Sequence, residues 1–222
     1  MELLSEINPD SEQEKLDYLR SNFFSIFQKY LIEESEINNL FEKIIKEYQS
    51  DDRFYHNSDH IYNFLNYLQQ HKENIINWKV LNLAVWFHDV IYDPKEKDNE
   101  EKSAQYARIK LKELGIPEDV IIQVEKFIKA TKTHEATDNN DLEFFLDGDL
   151  AILGSDEAQY KTYAQKIRRE YLWVPDEQYK LGRKKVLEKF LQRKNIFFTQ
   201  NACDQFEEKA RQNLNREIEQ LN

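Results

Sequence analysis

The feature that most constrains this chain is a histidine–aspartate pair inside an apolar segment. Residues 80–92 are almost all hydrophobic, and His88 and Asp89 interrupt the run. Positions 81, 84, 85 and 88 share one face at helical spacing, so we predict a buried helix whose imidazole points inward. Burying an ionised carboxylate without a partner costs several kcal/mol, and pairing or metal coordination is the usual remedy. We therefore expect the core to supply a partner for both side chains.

Further side chains of the same kind lie on both sides of this segment. His56 and His60 precede it, His134 follows an amphipathic helical pattern, and Asp147 and Asp149 interrupt another apolar run. Each alone could be a hydrogen-bonded core residue or a turn residue. Together they offer imidazole and carboxylate ligands without a thiolate, a mixture that suits Mn, Fe, Co, Ni or Zn better than Mg or Ca. We therefore predict a site for a divalent transition metal.

These residues resemble a known family. His60, the pair His88 and Asp89, and Asp149 are similar to the H…HD…D signature of the HD-domain metal-dependent phosphohydrolases. From about residue 53 onward the chain resembles a bacterial branch of predicted HD-superfamily phosphohydrolases. The similar segments are 53–57, 86–93, 98–104 and 146–154, together with Arg168, Glu170 and Tyr171.

The resemblance implies an HD-domain-like helical bundle and a metal ion held by His60, His88, Asp89 and Asp149. It also implies hydrolysis of a small phosphate ester or nucleotide. The metal would lower the pKa of bound water toward ~7, and the resulting hydroxide would attack phosphorus. Asp89 would then serve both as ligand and as catalytic residue. The branch is named largely by prediction, so the substrate itself is not implied.

Several assignments stay open. His56 could replace His60 as the first histidine ligand. We favour His60, because the family's ligand usually opens a helix, and we expect His56 to contact the substrate. Asp147 could replace Asp149, although the family's ligand stands immediately before a helical apolar run. His134 is one ligand-type residue more than the one-metal signature contains, so a second metal ion is an alternative. Two alternative functions follow, a binuclear-iron oxygenase of the HD type and a non-catalytic nucleotide-binding regulatory module.

Positive charge is concentrated in residues 161–194, which hold eleven Lys or Arg and four Asp or Glu. Arg168 and Arg183 are predicted to bind substrate phosphate, because guanidinium groups hold phosphate oxygens bidentately. Lys132, close to His134, is a further candidate. Three other lysines are predicted to be solvated surface charges: Lys161, Lys189 and Lys194.

A proton donor to the leaving oxygen should be an acid close to the metal. Asp93, four residues after Asp89, and Glu100 are the two candidates from the sequence. Either could instead be an ordinary loop or helix-capping residue.

Composition bounds the fold and the partners. The 222 residues include only 4 Gly and 4 Pro, and no strand-like alternation is present, so we predict one all-α domain. Its metal-site core should span about residues 50–195, with the terminal helices packed on it. The net charge of −11 disfavours nucleic acid and anionic membranes, and no segment predicts a membrane span or a targeting leader. The single cysteine fits a reducing cytoplasm. We expect a small phosphorylated substrate and allow for a homo-oligomer.

Overall fold

The fold is known from a computed structural model that describes residues 11–135 and 138–221. The prediction of an all-α fold is confirmed for these residues, which form helices and contain no strand. The helices are α1 (Glu12–Phe27), α2 (Glu34–Tyr48), α3 (Ser58–Gln70), α4 (Trp78–Phe87), α5 (Asn99–Glu113), α6 (Glu118–Ala130), α7 (Asn140–Leu150), α8 (Glu157–Glu170), α9 (Asp176–Leu191) and α10 (Gln200–Leu221), with short 3₁₀ segments at Lys72–Asn74 and Ala151–Gly154.

Helix α4 is the centre of the larger hydrophobic core. All its residues from Val80 to Phe87 are buried, as expected for a helix that is apolar on every side. It contacts α1, α3, α5, α6 and α7. The helix is shorter than predicted, because it ends at Phe87 and both His88 and Asp89 follow in a turn. The histidine–aspartate pair therefore lies at the end of α4, where several other helices converge.

A second core forms from α8, α9 and α10 together with the segment after α7. Its buried side chains include Leu153, Ile167 and Leu214, and Phe206 packs against both cores. The prediction of a single domain stays a prediction. Among the residues that the structure describes, no helix combines the length and the apolar character that crossing a membrane requires.

Close packing of α7 on α3 depends on a glycine. A Cβ atom on Gly148 would overlap the Phe64 ring of α3, so a larger residue here would force the two helices apart. Asp149 follows directly and lies in the last turn of α7, whereas the family resemblance implied a position immediately before a helical apolar run. Gly148 thus lets the carboxylate of Asp149 approach the first turn of α3.

Candidate metal centre

Three side chains from three helices meet where the helices converge. His60 stands in the first turn of α3, His88 at the C-cap of α4 and Asp149 in the last turn of α7. His60 Nε2 lies 3.0 Å from His88 Nε2 and 3.2 Å from Asp149 Oδ1, and the latter two atoms are 3.8 Å apart. These three residues, which we call the metal cluster, could hold a metal ion.

The spacing of the three atoms fits one ion. They lie on a circle of radius about 2.0 Å, and metal–nitrogen and metal–oxygen bonds are about 2.0–2.2 Å. The tautomer of His88 also fits, since Nδ1 donates a hydrogen bond to the Val85 carbonyl oxygen at 2.8 Å. In the neutral imidazole Nε2 is then unprotonated and presents a lone pair to the centre of the cluster.

Asp89 approaches the same two imidazoles. Its Oδ2 lies 3.1 Å from His88 Nε2 and 4.0 Å from His60 Nε2. The turn that carries it is fixed by Arg53, whose guanidinium donates to the carbonyl oxygens of Asp89 and Val90 at 2.6 and 3.0 Å. Asp89 is therefore held at the edge of the metal cluster, and its role as a fourth ligand stays a prediction.

The protonation states of the cluster reflect burial and mutual attraction. Burial alone would lower the pKa of His88, but the Asp89 and Asp149 carboxylates outweigh it and raise the pKa to about 9. Burial lowers the pKa of His60. Burial opposes ionisation of Asp149, yet hydrogen bonds with His134 and His60 hold its pKa well below the ordinary value. Without a metal, a proton shared by the cluster balances part of the carboxylate charge.

His134 contacts the outer oxygen of the same aspartate. Its Nε2 lies 2.9 Å from Asp149 Oδ2. His134 lies beyond the helix that precedes it, because α6 ends at Ala130, and it has a positive φ of 49° in the turn that follows. It orients the Asp149 carboxylate, and whether it binds a second metal stays a prediction.

Asp147, the alternative ligand to Asp149, contacts the residues just before α10. It is fully buried, and its carboxylate accepts hydrogen bonds from the backbone N–H groups of Phe198 and Thr199 and from the Thr199 hydroxyl, at 2.7–2.8 Å. Burial raises its pKa to about 6 despite these bonds. Asp147 therefore fastens the start of α10 to α7, and of the two aspartates it is Asp149 that lies in the metal cluster.

His56 is held by a carboxylate that the sequence analysis did not single out for a role. Its Nδ1 donates to Glu170 Oε2 at 2.7 Å, while Glu170 Oε1 accepts the backbone N–H groups of residues 54, 55 and 56. Tyr92 donates to the same Glu170 carboxylate at 3.0 Å. Although burial disfavours the charged imidazole, the Glu170 carboxylate raises the pKa of His56. His56 thus forms a carboxylate–imidazole pair beside the metal cluster.

The metal cluster opens onto a cavity of about 690 Å³ between the two cores. Asp89, Asp149, His56 and His134 line one part of it. Aromatic side chains from α8, α9 and the loops form much of the remaining wall: Tyr92, Tyr163, Tyr171, Tyr179 and Phe190.

The two predicted proton donors, Glu100 and Asp93, lie at different positions relative to the cavity. Glu100 lines the cavity, and its carboxylate is 3.9 Å from Lys132 Nζ. Asp93 is exposed outside the cavity lining, and its carboxylate accepts the backbone N–H of Lys95, which is the ordinary role of a turn aspartate. Its position argues against proton donation to a substrate in this cavity.

The predicted phosphate-binding cations are mostly engaged with the protein. Lys132 lines the cavity but donates to both carboxylate oxygens of Glu101, at 2.6 and 2.8 Å. Arg183 also lines it, and its guanidinium bonds to both carboxylate oxygens of Glu217 at 2.8 and 3.1 Å. Lys189, predicted to be a surface charge, is exposed as expected but lies at the wall of this cavity.

Arg168 lies outside that cavity. Its guanidinium donates to the carbonyl oxygens of Tyr171 and Val174 and to the Asp176 carboxylate, and it stacks on the Tyr179 ring. These bonds close the turn between α8 and α9. The position of Arg168 therefore argues for a structural role in place of the predicted contact with substrate.

Glu170 and Arg53 support the site, and the sequence around each of them gives a hint of a specific partner. Glu170 is a lone acid within a basic helix end, and Arg53 is a single cation next to aromatic residues. A charge that contrasts with its neighbours is typical of a residue with a specific partner. The sequence alone does not say which partner, because the contacts span more than 30 residues in each case.

Comparison with family models, with curated proteins and with solved structures found no match. The geometry of the described residues therefore carries the functional argument.

Proposed function

We propose that this protein is a metal-dependent phosphohydrolase of the HD-domain superfamily. The observation that carries the proposal is the metal cluster itself, in which His60, His88 and Asp149 bring three candidate ligand atoms around one point. Asp149 also lines a ligand-sized cavity, whereas His60 and His88 are buried. The same three residues occur in the order that the family signature requires. The Val85 carbonyl, which sets the His88 tautomer, is the kind of outer support that metal-binding histidines have.

A bound divalent ion would polarise a phosphoryl oxygen and acidify water at the cluster. The chain's own residues would fix the geometry around it. His134 orients Asp149 through a 2.9 Å contact, and Arg53 holds the turn that presents Asp89. The aromatic wall would exclude bulk water from one side of the substrate, which strengthens electrostatic interactions there.

His56 is the proton donor in this proposal. Its Nδ1 is occupied by Glu170, so the remaining nitrogen, Nε2, is the one that can give a proton to the leaving oxygen. The raised pKa of His56 keeps that proton available near neutral pH. Glu100 is the alternative donor, since it lines the same cavity.

The test is a panel of phosphate monoesters, diesters and nucleotides, assayed with metal-stripped protein reloaded with Mn, Co, Ni or Mg. We expect hydrolysis to return with the transition metals and to vanish with a chelator. His56→Gln should lower kcat by about 100-fold with little change in KM, whereas Asp93→Asn should match the wild type. Hydrolysis that persists in the chelator would contradict the proposal.

The same panel separates the alternatives. Two irons per chain with consumption of dioxygen would identify the binuclear oxygenase. Tight nucleotide binding with no turnover under any metal would identify the regulatory module.

A further inference from the structure

Arg193, just beyond α9, lines the cavity and has one buried donor atom without a partner among the described residues. Its Nη2 donates to the Thr133 carbonyl oxygen at 2.9 Å, and its Cζ lies 4.7 Å from the centre of the Phe190 ring. Its Nη1 is buried and has no hydrogen-bond partner among the described residues. An unsatisfied buried donor on a charged group is costly, so a turn of the side chain that brings Nη1 to an acceptor of a ligand in the cavity would be favourable.

The charge balance around Arg193 also favours an anion. Lys189 lines the same cavity and makes no ion pair within the part of the chain that the structure describes. In contrast, Lys132 and Arg183 are neutralised by carboxylates. Desolvation lowers the pKa of the Arg193 guanidinium and outweighs the attraction of the Glu135 carboxylate, and a bound anion would act in the same direction as Glu135.

Arg193 does not belong to the metal cluster. The contacts between them run from Asp149 to the His134 ring, from that ring to Phe190 at 6.2 Å, and from Phe190 to Arg193. A group bound at the metal would therefore be separated from Arg193 by two side chains. The cavity is nonetheless continuous, and its volume of about 690 Å³ is enough for a nucleotide-sized ligand.

We infer that Arg193 and Lys189 form a second anion subsite, which binds a phosphate group of the substrate other than the one at the metal cluster. The inference rests on the proposed function and names a substrate class, a phosphoester that carries two phosphate groups at separate positions. A guanidinium with one unpartnered N–H group suits phosphate oxygens once it turns toward the cavity, and the exposed Lys189 ammonium adds a mobile point charge.

Binding of inorganic phosphate to metal-stripped protein, measured by calorimetry, tests the subsite without any hydrolysis. Arg193→Gln should weaken binding by about tenfold or more, and Lys189→Gln by a smaller factor of about two to five. Lys194→Gln, which removes an exposed charge from the next position, should leave the affinity unchanged. The Lys189 variant is needed because Arg193→Gln also removes the hydrogen bond to the Thr133 carbonyl oxygen. Lys189→Gln removes no such contact among the described residues, so its effect on phosphate affinity reports on the subsite alone.

Equal phosphate affinity in all four proteins would overturn the subsite. So would a loss confined to Arg193→Gln, since that result would assign Arg193 to holding the His134 turn. In the metal-loaded enzyme, a substrate with two phosphates should have a lower KM than its monophosphate analogue, and Arg193→Gln should remove the difference. Phosphate binding that depends on both residues, without hydrolysis of any ester, would refute the proposed function and keep the subsite.

Discussion

The metal cluster and the basic helices α8 and α9 are both rich in charge, yet they use it differently. In the cluster, carboxylates and imidazoles from distant segments face one another across 3.0–4.0 Å, and the facing nitrogens His60 Nε2 and His88 Nε2 cannot both carry a proton at 3.0 Å. In α8 and α9, Arg168 and Arg183 have their acidic partners in place. Several buried ligand-type side chains that converge on one point are typical of a binding site, whereas a cation paired with its own carboxylate is typical of a structural contact.

The largest effect is expected from the removal of a cluster imidazole. His88→Ala should abolish metal binding and hydrolysis, because it removes a ligand whose orientation Val85 already fixes. Metal content after dialysis and helical content by circular dichroism would be measured together. His71→Ala serves as the matched control, since His71 lies outside the cluster and contacts Tyr67 and Phe144. Full metal occupancy in His88→Ala would refute the assignment of the cluster.

A second test concerns Glu170, whose charge is paired but lies beside the site. Burial opposes its ionisation, yet hydrogen bonds from His56 and the backbone lower its pKa to about 2 from 4.5. The ionised group therefore contributes stability above pH 4.5, up to about 3 kcal/mol, and this contribution is lost as pH falls toward 2. Glu170→Gln should unfold more easily at pH 7, and the difference from the wild type should shrink across that pH range. Denaturant titrations at several pH values measure it, and a constant difference would contradict the assigned pairing.

The smallest effect is expected from Arg168. Its bonds to two carbonyl oxygens and Asp176 are mostly local, so Arg168→Ala should lower the free energy of unfolding by about 1 kcal/mol. Phosphate affinity and KM should stay within about twofold of the wild type. A tenfold rise in KM would instead restore the substrate contact that the sequence predicted.

The sequence revealed the cluster because a buried charge is visible in an apolar run. His88 and Asp149 stand out because they interrupt the apolar segments 80–92 and 144–154. The all-α class follows from the same hydrophobic patterns. The helix ends were less predictable, since apolar residues continue beyond Phe87 into a turn. Hydrophobic periodicity shows which residues are buried, and buried residues can continue past the end of a helix, so the helix boundary is not predicted.

The cations were less predictable for a related reason. Sequence shows where a charge is, but not what neutralises it. Arg183 finds Glu217, 34 residues later, and Lys132 finds Glu101, 31 residues earlier. Arg193 was indistinguishable from its neighbours until the fold left one of its nitrogens buried and unpaired.

The most direct test of the account is a crystal structure of the protein loaded with Mn or Zn, with anomalous data recorded at the metal edge. We expect an anomalous peak about 2.0–2.3 Å from His60 Nε2, His88 Nε2 and Asp149 Oδ1. A second peak beside His134 would extend the site to two metals. Full occupancy elsewhere on the chain, with no peak between the two imidazoles, would contradict the central claim.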